Sequence, residues 1–348
     1  MPIHPHSPSD SAFIFDSLLP KWEKLRGKRV FLTGGTGFVG KWLLGSLLYA
    51  NRKLNLGCRI TILSRDPEAF ARSAPFLALD QTVSLLRGDV RDLLSPDGKY
   101  DLVIHAAADV ASVPDPLETF DSCALGTRRV LDFAQQAGAG DFLLLSSGAV
   151  YGRQPATLAA IPESWNGAPD RLHEKSAYGM GKIAAEWLAA QYARESGMAV
   201  RIARCFAFVG PYLPMDRHFA IGNFIRDAEQ NRPIVIKGDG TPLRTYMYAA
   251  DLVVWLLTIL FDARPGAVYN VGGAGPLSIR ELAHAVNAAL GSGVEVIVEG
   301  SARIGAAPEQ YVPDTTLARE ELGLRLSVPL EEAIRRTATW FREERREQ

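Results

Sequence analysis

The sequence has few cysteines, almost no net charge and no long apolar run. Its 348 residues include three cysteines, Cys58, Cys123 and Cys205, and an odd number spaced so widely argues against a disulfide framework. The 38 basic and 39 acidic residues leave a net charge of −1, which gives no support to a nucleic-acid partner. These absences predict a protein of a reducing compartment, the cytoplasm.

Membrane and metal signals are also missing. The most apolar run, residues 252–261, is too short to span a bilayer, and the first residues carry no signal-peptide pattern, so no membrane partner is expected. The six histidines show no metal-ligand spacing with cysteines or carboxylates, which predicts no metal site. Residues 1 to about 12 are predicted to form a disordered tail. Residues 13–26 are predicted to form a short helix or an arm that packs on the first strand.

What is present is organised around a strand, a glycine turn and a helix. Residues 29–33 are typical of a buried strand, residues 34–40 (GGTGFVG) of a turn, and apolar residues then recur at helical spacing. Gly34 permits the tight turn, Gly37 lets backbone N–H groups approach a pyrophosphate, and Gly40 lets helix and strand pack closely. A glycine-rich surface loop is the alternative for such a spacing. The flanking strand and helix favour a dinucleotide site.

The end of the second strand decides between two dinucleotides. That strand is residues 59–63, and the residue just past it conventionally meets the adenosine ribose. Ser64 and Arg65 follow it, and a neutral residue before an arginine suits the 2′-phosphate of NADP, whereas an acidic residue would suit NAD. An exposed loop arginine is the alternative for Arg65. The sequence therefore slightly favours NADP(H) over NAD(H).

Two more strand ends contribute to the predicted cofactor site. After the third strand, Asp89 is placed to accept from the adenine amine and Val90 to pack on its ring, with loop capping as the alternative for Asp89. The fourth strand runs into three alanines at 106–108, which let the chain pass close to a bound pyrophosphate or nicotinamide ribose. His105 at its end is interpreted as a packed core histidine rather than a catalytic group.

A strand ending in serine precedes a tyrosine and a lysine at the start of a helix. The strand is residues 142–147, and the spacing of four puts Tyr178 and Lys182 on one helical face. A lysine ammonium and a nicotinamide cation there lower the tyrosine pKa from its reference of about 10. A tyrosinate can then take a hydroxyl proton while hydride leaves the same carbon, and Ser147 would hydrogen-bond the same oxygen. Such a spacing also arises by chance, but here it follows the glycine turn.

On these motifs the chain resembles the extended short-chain dehydrogenase/reductases, specifically the NAD-dependent epimerase/dehydratase family that modifies nucleotide sugars. The resemblance runs from about residue 28 to the C-terminal helix and includes residues 88–92, 204–211 and 238–251. It implies a Rossmann-type α/β fold, a doubly wound parallel sheet with a smaller, interleaved C-terminal substrate domain. The predicted catalytic residues are Ser147, Tyr178 and Lys182; the cofactor-binding residues are Gly34, Thr36, Gly37, Phe38, Val39, Gly40, Ser64, Arg65, Asp89, Val90, Ala106, Ala107, Ala108, Tyr178 and Lys182; the substrate-binding residues are Ser147, Asn223 and Arg244.

The resemblance also implies a domain division and a nucleotide-diphosphate sugar as substrate. The expected parts are an N-terminal tail or arm, 1–27, a dinucleotide-binding domain, 28–210 plus 248–275, and a nucleotide-sugar-binding domain, 211–247 plus 276–348. Arg244 resembles an arginine that clamps the substrate diphosphate, for which a bidentate guanidinium is suited. Asn223 resembles an asparagine that contacts the nucleotide. Structure at the domain junction is the alternative for both.

Several residues depart from the family pattern. The 4,6-dehydratases carry an Asp-Glu pair directly after the triad Ser/Thr, and the decarboxylases carry a glutamate at the second of these positions. Gly148 and Ala149 stand there and can transfer no proton, which disfavours both reactions. Cys123 and Ala207 stand where sugar 4-epimerases commonly have asparagine, which weakens the transfer of any one epimerase's substrate contacts.

The predicted function is hydride transfer at C4 of a nucleotide-diphosphate hexose. The net reaction is 4-keto-sugar reduction, which consumes NADPH, or 4-epimerisation, in which the cofactor stays bound. The alternatives are a 4,6-dehydratase or decarboxylase and a non-catalytic dinucleotide-binding regulatory protein. Relatives commonly dimerise through two helices, here about residues 119–136 and 178–195, so a homodimer is expected.

Overall fold

The computed structural model describes residues 7–94, 97–107, 115–217, 219–302 and 307–347. The strands are β1 (Arg29–Thr33), β2 (Arg59–Ser64), β3 (Val83–Arg87), β4 (Leu102–His105), β5 (Asp141–Ser147), β6 (Ala199–Cys205), β7 (Phe208–Val209), β8 (Ile234–Ile236), β9 (Leu243–Arg244), β10 (Met247–Tyr248), β11 (Val268–Val271), β12 (Leu277–Ser278), β13 (Val296–Val298) and β14 (Gln310–Tyr311). The α-helices are α1 (Pro8–Ser17), α2 (Phe38–Leu54), α3 (Pro67–Ser73), α4 (Pro75–Ala78), α5 (Pro116–Gln136), α6 (Ala177–Ser196), α7 (Ala220–Glu229), α8 (Ala249–Asp262), α9 (Ile279–Leu290), α10 (Thr316–Leu322) and α11 (Leu330–Glu347). Short 3₁₀ helices cover Lys21–Leu25, Val90–Asp92, Gly148–Tyr151 and Glu174–Ser176.

Seven strands form one parallel sheet in the order β11-β6-β5-β4-β1-β2-β3. The chain reverses its direction of winding at β1, which pairs with β2 on one side and β4 on the other. In doubly wound sheets, ligands bind at the carboxyl ends of the strands beside such a reversal. The predicted Rossmann-type α/β fold is confirmed, and the reversal lies at the ends of β1 and β4, where the cofactor site was predicted.

One hydrophobic cluster holds α5 and α6 on this sheet. Phe31 of β1 and Phe142 of β5 are fully buried, and the Phe31 ring centroid lies 4.2 Å from that of Phe133 on α5. Ala185 and Ala189 bring α6 into the same cluster. Because these side chains are small, α6 lies close to its neighbours, and the helix that carries Tyr178 and Lys182 has a fixed position.

The N-terminal arm is a packed element, and the disorder predicted up to about residue 12 is wrong from Pro8 onward. Ser7 caps α1 by accepting from the Asp10 backbone N–H at 3.1 Å, and Pro8 occupies the first helical turn. Trp22 is fully buried and donates from Nε1 to the carbonyl of Phe15 at 2.9 Å. The cost of ordering the arm is therefore offset by buried aromatic surface.

The arm packs on α2 and α8, whereas the sequence placed it on the first strand. The Phe15 ring meets Tyr49 of α2 edge-on, with 5.6 Å between centroids. The Trp22 ring meets Phe261 of α8 in the same manner at 6.4 Å. Two helices on the outside of the sheet thus receive the arm.

The chain forms two compact units. The first lies within Met1–Gly152, Ala168–Cys205 and Val253–Tyr269, and the second within Arg153–Gly167, Phe206–Leu252 and Asn270–Gln348. This division differs from the sequence-based one at residues 153–167, 206–210, 248–252 and 270–275, all of which the sequence assigned to the Rossmann domain and which lie in the second unit. Ile161 pairs with Pro313 in a parallel bridge, and the Gln154 side chain accepts from the Val312 N–H at 2.9 Å. Backbone pairing therefore joins 153–167 to the second unit.

The second unit contains short strands and amphipathic helices. β9 lies between β12 and β14, β8 pairs with β13, and β7 pairs with β10. α7, α9 and α11 pack against one another. Within the described residues of both units, none of the helices is long and apolar enough to cross a membrane.

Candidate active site

The turn after β1 requires two of its glycines for different reasons. Gly34 has φ +70°, and a Cβ there would lie 2.6 Å from the backbone of Ala106 at the end of β4. A Cβ at Gly40 would lie 2.1 Å from the carbonyl oxygen of Gly34. The predicted tight turn is confirmed. Gly40 was predicted to let helix and strand pack closely, and the backbone that it packs on is that of the turn itself.

The N-terminus of α2 fits the pyrophosphate of a dinucleotide. The N-cap residue Gly37 has no side chain with which to cap the helix, and the first turn carries no acidic residue. Among the residues that the structure describes, the only atom within 4 Å of a Cβ at Gly37 would be the Gly34 oxygen, at 3.5 Å. Thr36, Phe38 and Val39 are half-buried around Gly37. N–H groups with the positive end of a 17-residue helix behind them favour an anion here.

The predicted adenosine end of the site is rich in arginine. Ser64 is buried at the end of β2 and accepts from the Asp66 N–H at 3.2 Å, whereas Arg65 is exposed. The guanidinium of Arg87, at the end of β3, donates to the Arg65 carbonyl at 3.1 Å and pairs with Glu68. A neutral, buried serine beside exposed positive charge lies where the sequence predicted the ribose phosphate.

Asp89 is a capping residue in this structure. Its carboxylate accepts from the Arg91 backbone N–H at 2.9 Å and from the Arg91 Nε at 3.0 Å. Burial raises the pKa of Asp89, but hydrogen bonds from Arg91 and the charges of Arg91 and Arg65 outweigh it and leave that pKa lowered. Val90 packs against Gly126 of α5 within the core. The adenine contacts of Asp89 and Val90 stay predictions.

His105 is a core residue, as predicted. It is fully buried, with Nδ1 2.7 Å from the hydroxyl of Thr33 and Nε2 3.0 Å from that of Thr127. Thr127 donates to the Cys123 carbonyl, and Thr33 accepts from the Ala107 N–H, which together assign the proton of a neutral imidazole to Nε2. Burial and the Lys182 charge lower the pKa of His105 to about 3.

Thr33 is a site residue that the sequence analysis missed. Its hydroxyl connects the end of β1 to His105 and Ala107 at the end of β4, the two strands that flank the reversal. Ala106 and Ala107 are half-buried beside the glycine turn, as their predicted role requires. Ala108 lies outside the described residues. A threonine ending a buried strand was the available signal for Thr33.

The structure brings the predicted serine, tyrosine and lysine onto two adjoining elements. Ser147 is the last residue of β5. Its hydroxyl accepts a 3.1 Å hydrogen bond from the Ala149 N–H and so caps the 3₁₀ helix. Tyr178 lies in the first turn of α6, half-buried. Lys182 is 2% exposed, donates from Nζ to the Leu145 carbonyl at 2.8 Å and lies 5.9 Å from the Tyr178 ring centroid. Their catalytic roles stay predictions.

Burial lowers the pKa of Lys182, and three nearby acidic groups raise it when they are ionised. These groups are the thiols of Cys123 and Cys205 and the carboxylate of Glu186. Burial raises the pKa of both thiols, that of Cys205 to about 12, so the thiols are uncharged near neutral pH. Glu186 therefore supplies the negative charge beside the lysine.

A model of the NAD dependent epimerase/dehydratase family matches residues 30–272 of this chain. The chain belongs to that family. It is 30% identical over 316 residues to UDP-glucuronic acid decarboxylase 1 of Arabidopsis thaliana, which covers 90% of this chain and 70% of the relative.

Two solved structures are similar to this epimerase/dehydratase family member over nearly its whole length. The dTDP-glucose 4,6-dehydratase DesIV of Streptomyces venezuelae, solved with NAD and TYD bound, is 27% identical with a TM-score of 0.76, over 91% of this chain and 98% of that one. An epimerase of Methanothermobacter thermautotrophicus is 26% identical with a TM-score of 0.77, over 96% of each chain. The relatives therefore include decarboxylases, dehydratases and epimerases.

In this family member neither of the two residues directly after Ser147 carries an ionisable side chain. Gly148 and Ala149 open the 3₁₀ helix, and the start of α6 packs directly on it. A Cβ at Gly179 would lie 2.7 Å from the Ala149 carbonyl oxygen. Position 179, next to Tyr178, therefore requires a residue without a Cβ. The contact holds the backbone at the start of α6 against the turn that follows β5.

The two predicted substrate residues lie in the second unit and have partners within it. The Arg244 guanidinium pairs with Glu309 and lies 5.7 Å from the centroid of the Tyr311 ring. The Asn223 side-chain amide donates to the Arg217 carbonyl at 2.7 Å. Both contacts are structural, and substrate binding by Arg244 and Asn223 stays a prediction.

Proposed function

We propose that this family member transfers hydride at C4 of a nucleotide-diphosphate hexose without eliminating water or carbon dioxide. The net reaction is then reduction of a 4-keto sugar or 4-epimerisation. The observation that supports it is a buried Lys182 beside Tyr178, next to a strand end that continues into Gly148 and Ala149. The tyrosine can exchange one proton, but the two small residues offer no second acid or base for an elimination.

Each side chain has a distinct task in this proposal. Tyr178 exchanges the proton of the C4 hydroxyl, and Ser147 hydrogen-bonds the same oxygen. Lys182, fixed by the Leu145 carbonyl, stabilises the phenolate form of Tyr178 through its charge. A bound nicotinamide dinucleotide would take or give the hydride. The residues that would hold its pyrophosphate are those of the turn at 34–40 and the first turn of α2.

The assay that tests this reaction uses the purified protein, NADPH and a nucleotide-diphosphate 4-keto-6-deoxyhexose. We expect NADPH oxidation together with a product two mass units heavier. UDP-glucuronate and dTDP-glucose, substrates named for relatives, serve as controls. Release of carbon dioxide from the first, or a dehydrated product from the second, would overturn the proposal in favour of the alternative reactions.

We further propose NADP(H) over NAD(H), because Ser64 is neutral and Arg65, Arg87 and Arg91 surround the adjoining strand ends. Arg65→Ala should raise the dissociation constant of NADPH about tenfold, the loss of one charge-assisted contact, and that of NADH less than about twofold. Arg72→Ala, at an exposed position of α3, is the matched control. Mass spectrometry of the dinucleotide released on denaturation provides a second measure, and tightly held NAD would count against this preference and for an epimerase.

A homodimer is also part of the proposal. Leu117 and Leu125 on α5 and Trp187 on α6 are large apolar side chains that are each more than half exposed. Leu188 packs on the core instead. An apolar surface on two packed helices favours association. Sedimentation velocity is the measurement, and a monomer at micromolar concentration would contradict it. The reduced state of all three cysteines fits a cytoplasmic location.

A further inference from the structure

Glu186 lies on the face of α6 that carries Tyr178 and Lys182. The three residues are spaced by four, so their side chains lie one above the other along the helix. Glu186 is 12% exposed, and its Oε1 accepts a 2.5 Å hydrogen bond from the hydroxyl of Ser146. Since Lys182 binds the carbonyl of Leu145, two side chains of α6 hold the two residues that precede the catalytic serine.

Arg204 holds the same carboxylate from β6. Its Nε lies 3.0 and 3.2 Å from the two oxygens of Glu186, and its Nη2 donates to one of them at 2.7 Å. Nη1 donates to the hydroxyl of Tyr151 at 2.8 Å, and the guanidinium lies 4.7 Å from that ring centroid. Tyr151 ends the 3₁₀ helix that follows Ser147. The network therefore contacts the chain on both sides of Ser147.

A buried charged network adds little net stability to the packing of a helix on a sheet. Desolvation offsets much of the attraction within a buried ion pair, and apolar residues of similar volume often stabilise a fold as well. What the pair adds is geometry, because a guanidinium bound by several hydrogen bonds to one carboxylate fixes both distance and orientation. A site that transfers a proton and a hydride at one carbon depends on such precision.

We propose that Glu186 is a positioning residue, which through Ser146 and Arg204 fixes α6 against the end of β5. The inference rests on the proposed function, because it concerns the same Ser147, Tyr178 and Lys182. The Glu186 carboxylate also favours the ammonium form of Lys182, because the two side chains lie on the same face of α6. The titratable groups around that ammonium are Tyr178 and Glu186 on α6, Cys123 on α5, Cys205 on β6 and His105 on β4. Because the thiols and the imidazole are uncharged near neutral pH, Glu186 is the member of this set that carries a negative charge.

The test is Glu186→Gln, with Glu195→Gln, an exposed residue of the same helix, as the matched control. NMR of lysine-labelled protein, assigned with Lys182→Arg, should show a lower pKa of Lys182 than in the unmodified protein. With the keto sugar, kcat should fall about tenfold or more, while KM and the NADPH dissociation constant stay within about twofold. An unchanged Lys182 pKa, or equal losses in kcat and cofactor affinity, would overturn the proposal.

Glu186→Gln leaves the Arg204 cation buried without its partner, which can prevent folding. In that case the double variant Glu186→Gln/Arg204→Gln, neutral at both positions, is titrated in the same way. A Lys182 pKa lower than in Arg204→Gln, which lacks the same cation but keeps the Glu186 carboxylate, supports the positioning role, and an equal one overturns it. The NMR titration needs no turnover, so absence of activity in the unmodified protein would contradict the proposed function without deciding this inference.

Discussion

Replacing Tyr178 by phenylalanine is expected to lower kcat roughly a thousandfold and to leave the dissociation constant of the dinucleotide within about twofold. The substitution removes one hydroxyl and keeps the ring. The Lys182 ammonium stays fixed by its 2.8 Å hydrogen bond to the Leu145 carbonyl, which does not depend on that hydroxyl. The loss is therefore one of proton transfer rather than of the fold.

Tyr192→Phe is the matched control for Tyr178→Phe. Tyr192 lies on the same helix, and its hydroxyl donates to Asp132 on α5 at 2.5 Å. We expect kcat to be unchanged in this variant. Turnover is followed by NADPH oxidation and binding by NADPH fluorescence. If Tyr178→Phe kept more than about a tenth of the activity, Tyr178 would not be the proton-transfer group. Dinucleotide binding without any turnover in the unmodified protein would instead support the regulatory alternative.

Gly40→Ala is expected to lower the free energy of unfolding by about 2–4 kcal/mol. This loss of stability is the opposite of the usual effect of Gly→Ala inside a helix, where alanine is favoured by about 1 kcal/mol. The new Cβ would lie 2.1 Å from the Gly34 oxygen and 2.5 Å from the Gly35 Cα. Gly34 cannot move away easily, because it is itself packed on the backbone of Ala106.

Urea denaturation measures this change, and a titration with dinucleotide measures its second effect. Because the turn must shift, the dissociation constant should rise about tenfold or more through misplaced N–H groups. Gly238→Ala is the control, since no atom of the described residues lies within 4 Å of a Cβ there and its φ is not in the left-handed region. A Gly40→Ala protein as stable as the control would show that α2 can tilt to relieve the contact.

The sheet and the glycine turn were predictable because their signals are local. The apolar pattern of a strand and the glycines of a tight turn, Gly34 and Gly40, are signals contained within a few residues. The placement of Tyr178 and Lys182 on one face follows from helix periodicity. The doubly wound parallel sheet followed from the family resemblance, and in the structure the reversal beside β1 places the turn next to the end of β4.

The features that the sequence did not predict depend on distant partners. A start rich in proline and serine indicated disorder up to about residue 12, yet α1 begins at Pro8 and belongs to an arm whose Trp22 packs on the distant Phe261. The sequence left Asp89 between an adenine contact and loop capping, and the hydrogen bonds from Arg91 show the capping. Glu186 continues the spacing of Tyr178 and Lys182, so its position was predictable. Its partners Ser146 and Arg204 were not, because they come from two other strands.

The neutral His105 affects how a pH–rate profile of this protein is to be read. Histidine is the side chain whose ordinary pKa lies nearest neutrality, and an inflection between pH 5 and 8 is usually assigned to one. Here the imidazole beside Thr33 and Lys182 stays uncharged down to a pH of about 3. An inflection near neutral pH therefore reports other groups, and Tyr178 with its neighbouring Lys182 is the pair to which it should first be assigned.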